Sequence, residues 1–162
     1  MDLNFSAFTW VHTIISLVAI VAGYYVVGDL IGKRRAGNWT EIFLVTIIAT
    51  SVTGFFFRSA SFGPPQVVGA LSLIVLAAVL AAAYVFHFAG PWRWVYAVGI
   101  VVALYFDVFV LVAQLFQKVH ALKALAPTGS EPPFAIVQLI VLVAFVYLGY
   151  LSFRRFRSGW WR

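Results

Sequence analysis

The stretch ALYFDVFVLVAQLFQK, Ala103 to Lys118, sets one carboxylate, Asp107, inside a run of Leu, Phe, Val and Tyr. The apolar character continues back to Arg93, so the run from Arg93 to Lys118 exceeds the roughly 20 residues that carry a helix across about 30 Å of hydrocarbon. The whole chain has the same character. Of its 162 residues, 64% are hydrophobic and 10% charged, with a mean hydropathy of +1.00. A soluble domain is roughly half apolar and about a quarter charged. This composition lacks the polar surface to cover a water-soluble globule and predicts an integral membrane protein. The 16 Phe, 6 Trp and 7 Tyr suit that solvent, because Trp and Tyr favour the membrane interface.

Working outward from Asp107, the expected fold class is an all-α polytopic transmembrane bundle with a single transmembrane domain. Its five spans run from about Phe5 to Ile31, Glu41 to Phe57, Gln66 to Phe88, Arg93 to Lys118 and Phe134 to Phe153. Gly and Pro punctuate them: Gly32 with Gly37, then Gly63-Pro64-Pro65, then Gly90-Pro91, then Pro127 to Pro133. Thr40 is placed to cap the second helix and Pro133 to open the fifth. The second span is the shortest and ends in Phe55-Phe56-Phe57-Arg58. It reads as an ordinary span with Arg58 snorkelling to the interface, or with the third as a re-entrant hairpin around Gly63-Pro64-Pro65. The N-terminal MDLNFSAFTW lacks the basic start and small-residue cleavage site of a signal peptide, so the first run is expected to stay as an anchor.

The net charge of +6 comes from clusters at the ends of spans. Lys33, Arg34 and Arg35 follow the first, while Arg154, Arg155, Arg157 and Arg162 follow the fifth. Cationic flanks of this kind meet anionic headgroups on the cytoplasmic side. That location accounts for the charge without a nucleic-acid partner. With five spans, eight of the eleven Lys and Arg fall on one side and Arg58, Lys118 and Lys123 on the other. The expected orientation puts the N-terminus outside and the C-terminus in the cytoplasm.

Three motifs carry a resemblance: TSVTGF at Thr50 to Phe55, ALYFDVFVLVAQ with Phe116 and Lys118, and LKALAPTGSEPPF at Leu122 to Phe134. Together they resemble a family of small proteobacterial integral membrane proteins with about five spans and short loops. The likeness runs from His12 onward. It implies a multi-pass protein of the bacterial inner membrane and brings no reaction with it. That family's pattern has Asn at the position of Asp107, which implies a need for a polar hydrogen-bonding group there.

Asp107 lies near the middle of its span, where an acid costs about 2.5–3.5 kcal/mol on insertion scales. It is expected to face the bundle interior. Gln114 and Lys118 follow it close to one helical face, with Gln117 at the edge, giving a polar stripe toward the outer surface. Other spans bring polar groups to similar depth: His12 and Ser16 at i and i+4, Thr46, Thr50 and Thr53 at i, i+4 and i+7, and Gln138 in the fifth span. By the helical rise, His12 lies roughly 10 Å below the outer boundary and Asp107 roughly 15 Å. These residues predict an outward-facing, ligand-binding polar cluster of His12, Thr50, Thr53, Asp107, Gln114 and Gln138. The plain alternative is that the hydroxyls and amides only fasten helices to one another.

The absence of Cys removes disulfides, thiolate metal sites and Cys nucleophiles. No Gly-x-Ser-x-Gly or His-Glu-x-x-His motif is present. The 3 His, at 12, 87 and 120, fall at different levels, whereas bis-His haem needs two at one depth. No metal set emerges, since His12 and Asp107 lack a third ligand. Three classes remain. One is a non-enzymatic protein that binds or translocates a small apolar or amphipathic ligand, such as a lipid or quinone. The second is a structural or accessory subunit of a larger membrane complex, or a homo-oligomer held by small residues. The third is an oxidoreductase using haem or a proton relay.

Overall fold

The computed structural model describes residues 3–34, 37–57 and 64–156, which form helices and turns with no strand among them. The helices are α1 (Leu3–Gly32), α2 (Asn38–Gly54), α3 (Pro64–Leu80), α4 (Trp92–Lys118), α5 (His120–Leu125) and α6 (Pro132–Arg155). A π-helical turn, Ala81–Val85, prolongs α3. Four helical stretches, Ala7–Gly32, Pro65–Val85, Trp92–Lys118 and Pro132–Arg155, are long and apolar enough to cross a membrane. That marks a membrane protein. α2, with 17 residues, measures about 25 Å at 1.5 Å per residue and falls short of that length. Its start, Asn38, lies ahead of the expected cap at Thr40, which is instead buried in the first turn. Pro132 and Pro133 occupy the opening of α6, where a missing N–H costs nothing. Arg35, Arg58, Gly63, Arg157 and Arg162 lie outside the described residues.

Successive long helices run antiparallel. Tyr25 stacks on Trp39 at 4.6 Å at one end of the α1–α2 pair, and His12 meets Thr53 at the other. On α4 and α6, Phe116 lies against Phe134, 5.4 Å between ring centres, while Tyr105 meets Phe145 further along. We call the end where α1 starts the near end. At the far end, Lys33 takes a left-handed φ of 55° after α1, and Arg34 pairs with Asp29 at 2.8 Å. Gly90, with φ 53°, turns the chain between the π-helical segment and α4.

α4 occupies the centre, packed against α1, α3 and α6. Two glycines set how closely it is approached. A Cβ on Gly99 would fall 2.5 Å from Val79 Cγ2 of α3. One on Gly23 of α1 would fall 2.6 Å from Leu104 Cδ1 and 2.8 Å from Phe43 Cε2. Small residues therefore act here as they do between membrane helices, letting backbones close in. The outside is apolar: Val45 is 68% exposed, Trp10 67%, Ile74 67% and Val146 65%. A surface of that kind is suited to lipid rather than to water.

Candidate functional site

The interior of the bundle holds buried polar side chains on several helices. They fall in layers that follow from helical spacing. His12 and Ser16, one turn apart on α1, share a face. His12 Nδ1 and Thr53 Oγ1 are 2.8 Å apart. The Thr53 hydroxyl donates to the Ala49 carbonyl at 2.7 Å, so with its single hydrogen spent there the imidazole N–H is the donor to Thr53. The imidazole ring stands edge-on to Phe57, with 4.8 Å between centres. Lys118, at the end of α4, is close enough to His12 for the two to interact electrostatically.

One turn deeper, Ser16 Oγ donates to Asp107 Oδ1 at 2.9 Å, joining α1 to α4. Asp107 is only 7% exposed, and its second oxygen, Oδ2, has no hydrogen-bond partner among the described residues. Thr50, one turn below Thr53 on α2, is 8% exposed. Its hydroxyl is likewise unpartnered, although a helical Thr ordinarily bonds its own preceding turn. Beside it, Ser51 Oγ donates to Ser72 Oγ of α3 at 3.1 Å. Ser16, Thr50, Ser51, Ser72 and Asp107 thus make a polar layer across four helices.

Of the six residues expected to cluster, His12, Thr53, Thr50 and Asp107 gather around the same face of α1. Gln138 plays a different part. Its Nε2 donates to the Phe109 carbonyl at 3.1 Å, which fastens α6 to α4, and its Oε1 is buried without a partner. Gln114 is half-buried on α4, two turns nearer the near end than Asp107. Ser72 was absent from the expected set. Its signal was present in the sequence, since it is the only hydroxyl between Gln66 and Tyr84 in an otherwise apolar run. Among the described basic flank residues, Lys33, Arg34, Arg154 and Arg155 all stand exposed at the far end.

The remaining histidines lie elsewhere. His87 is exposed beyond the π-helical turn at the far end, its Nδ1 3.2 Å from the Val85 carbonyl. His120 opens the short α5 on the surface. In the loop that follows, the Glu131 carboxylate accepts from the Thr128 backbone N–H at 2.9 Å, from the Thr128 hydroxyl at 2.8 Å and from the Ser130 N–H at 3.1 Å. The Thr128 N–H foremost, with these other donors, holds its carboxyl down at about 2. These bonds close the loop into a turn that leads into α6.

No protein-family model, curated protein or solved structure matches this chain.

Proposed function

We propose that the protein is a five-span inner-membrane protein of bacteria, N-terminus outside, whose buried polar cluster binds the head group of a small amphipathic ligand. The observation that carries this reading is the pair of unpartnered oxygens, Asp107 Oδ2 and Thr50 Oγ1, in the layer around Ser16. A buried polar atom without a partner costs about 1–3 kcal/mol, and a bound head group that pairs with both oxygens recovers that cost. α2 is short for a span, yet it runs antiparallel to both α1 and α3, and full crossing keeps that alternation through α6.

The test is purification in a mild detergent followed by native mass spectrometry. The expected result is a retained small molecule in the wild type that is lost in Asp107→Leu. A bare protomer in both sinks the binding reading. A stable larger assembly with no retained small molecule favours the accessory-subunit reading instead, with the apolar outer face of α6 (Ile140 62% exposed, Val143 61%) as the surface it offers. A reporter at the C-terminus that reads as external refutes the orientation.

A further inference from the structure

Three helices meet around Ser16, and the way they meet decides which chemical group fits between them. Gly23 lies two turns below Ser16 on the same face of α1. At that level Phe43 of α2 and Leu104 of α4 both press against α1, each within about 3 Å of a Cβ placed on Gly23. Thr50 stands two turns above Phe43, and Asp107 one turn above Leu104, so both rise from this floor toward Ser16. His12 bonded to Thr53 closes the layer above. Thr50 and Asp107 therefore flank one junction, each more than nine-tenths buried and each with an unpartnered oxygen.

We propose that the junction of α1, α2 and α4 binds the hydroxyl group of an amphipathic alcohol or phenol, which accepts from Thr50 Oγ1 and donates to Asp107 Oδ2. This rests on the ligand-binding reading above and adds the class of head group. The Ser16 hydrogen is committed to Asp107 Oδ1 and the Thr53 hydrogen to its own helix, and the Thr50 hydroxyl makes no bond to Asp107 Oδ2. What Oδ2 lacks is a hydrogen, and what the Thr50 hydroxyl lacks is any partner.

A hydroxyl carries both a donor and an acceptor, so it serves the two oxygens at once. It also pairs with the carboxyl in either protonation state, giving its hydrogen to a carboxylate or taking one from the acid. A ketone or quinone carbonyl only accepts, and leaves an ionised Oδ2 unpaired. A phosphate or carboxylate head would meet an ionised Asp107 as a second negative charge. An ammonium head has only donors, and leaves the Thr50 hydroxyl hydrogen without an acceptor. The neutral hydroxyl is the head group that serves both oxygens whichever protonation state Asp107 holds.

The full chain in nanodiscs of phosphatidylcholine, which has no free hydroxyl, allows the test. Saturable binding of radiolabelled dodecanol is compared with that of its methyl ether, the same chain without the donor hydrogen. The expected result is binding of the alcohol that exceeds the ether by about ten-fold or more. Thr50→Val should weaken the alcohol. Asp107→Asn keeps an acceptor for Ser16 but turns an N–H toward the ligand oxygen, so it should narrow the gap by gaining ether binding. That gain is a readout which an unfolded variant cannot give. Equal saturable binding of alcohol and ether to the wild type overturns the hydroxyl proposal and leaves the binding reading standing. Saturable binding of neither overturns the hydroxyl proposal, and if native mass spectrometry also shows no retained molecule the binding reading goes with it.

Discussion

His12 and Thr53 are joined across α1 and α2 at 2.8 Å, while the Thr53 hydroxyl is simultaneously tied to the Ala49 carbonyl of its own helix at 2.7 Å. Thr53→Val keeps the shape and removes the acceptor, leaving the imidazole N–H unpaired. We expect a loss between about 0.6 and about 1.7 kcal/mol, the average and the maximum measured for hydrogen bonds between membrane helices. Thr46 bonds only carbonyls of its own turn, Ile42 and Phe43, so Thr46→Val should fall within about 0.5 kcal/mol of wild type. Unfolding in mixed micelles titrated with SDS measures both. Equal losses would show that the His12 contact contributes nothing.

The approach of α3 to α4 rests on Gly99, where a Cβ would lie 2.5 Å from Val79 Cγ2. Gly99→Ala should cost about 1–3 kcal/mol through overpacking. Val79→Ala removes the opposing methyls, so the same Gly99→Ala change made in that background should cost markedly less. Gly37 has nothing within 4 Å of its would-be Cβ, and Gly37→Ala provides the control. A double-mutant cycle by the same titration with no coupling between positions 79 and 99 would contradict the packing described.

The chain has no Cys, which makes cross-linking clean. Ser51 Oγ and Ser72 Oγ face each other 3.1 Å apart on α2 and α3, so the longer Cβ–S bonds of cysteine at these positions can bring two sulfurs to the roughly 2.05 Å of a disulfide. The Ser51→Cys/Ser72→Cys double variant should oxidise to an internal disulfide, seen as a mobility shift that reductant reverses. Ser51→Cys paired with Ile74→Cys should not, because Ile74 is 67% exposed on the outer face of α3. The opposite pattern would place α3 wrongly about its axis.

Glu131 supplies the pH dependence. Its carboxyl is held at about 2 in the folded turn, against an ordinary value of 4.5. A depressed folded value means that the stabilisation is fully present above the ordinary value and is lost as pH falls through the folded one. The Thr128–Glu131 turn should therefore hold at neutral pH, weaken below about 4.5 and open near about 2. Amide exchange at Thr128 and Ser130 reports this directly. In Glu131→Gln the protection of these amides, relative to exchange in an unstructured chain at the same pH, should be smaller at neutral pH and nearly independent of pH over that window.

Much of the fold was legible because lipid imposes simple demands on a sequence. Long apolar runs and Gly or Pro breaks located the four long helices to within a few residues at most ends, as with Phe134–Phe153 against the observed Pro132–Arg155. α2 was placed about three residues too late, because Thr40 and Glu41 look like a cap and first turn, whereas the helix already starts at Asn38. The π-helical turn at Ala81–Val85 left no trace in an Ala-rich run that suits an α-helix equally well. Around the cluster, spacing along single helices put His12 with Ser16 and Thr50 with Thr53 on shared faces. It could not say which helix each face meets. That is why Gln138, at similar depth, was grouped with Asp107 although it turns to the Phe109 carbonyl, and why Ser72 was overlooked.

The bond from Ser16 to Asp107 also has a consequence for how the chain is made. The two residues are 91 positions apart. At about 5–20 residues per second of synthesis, α1 is complete several seconds before the codon for Asp107 is read. The donor is thus made before the acid, so α4 can pack against α1 on entering the membrane and need not first present an unpaired acid to hydrocarbon. Swapping the roles, with the acid in α1 and the serine in α4, would leave the same finished contact but a nascent chain that must carry its charge alone.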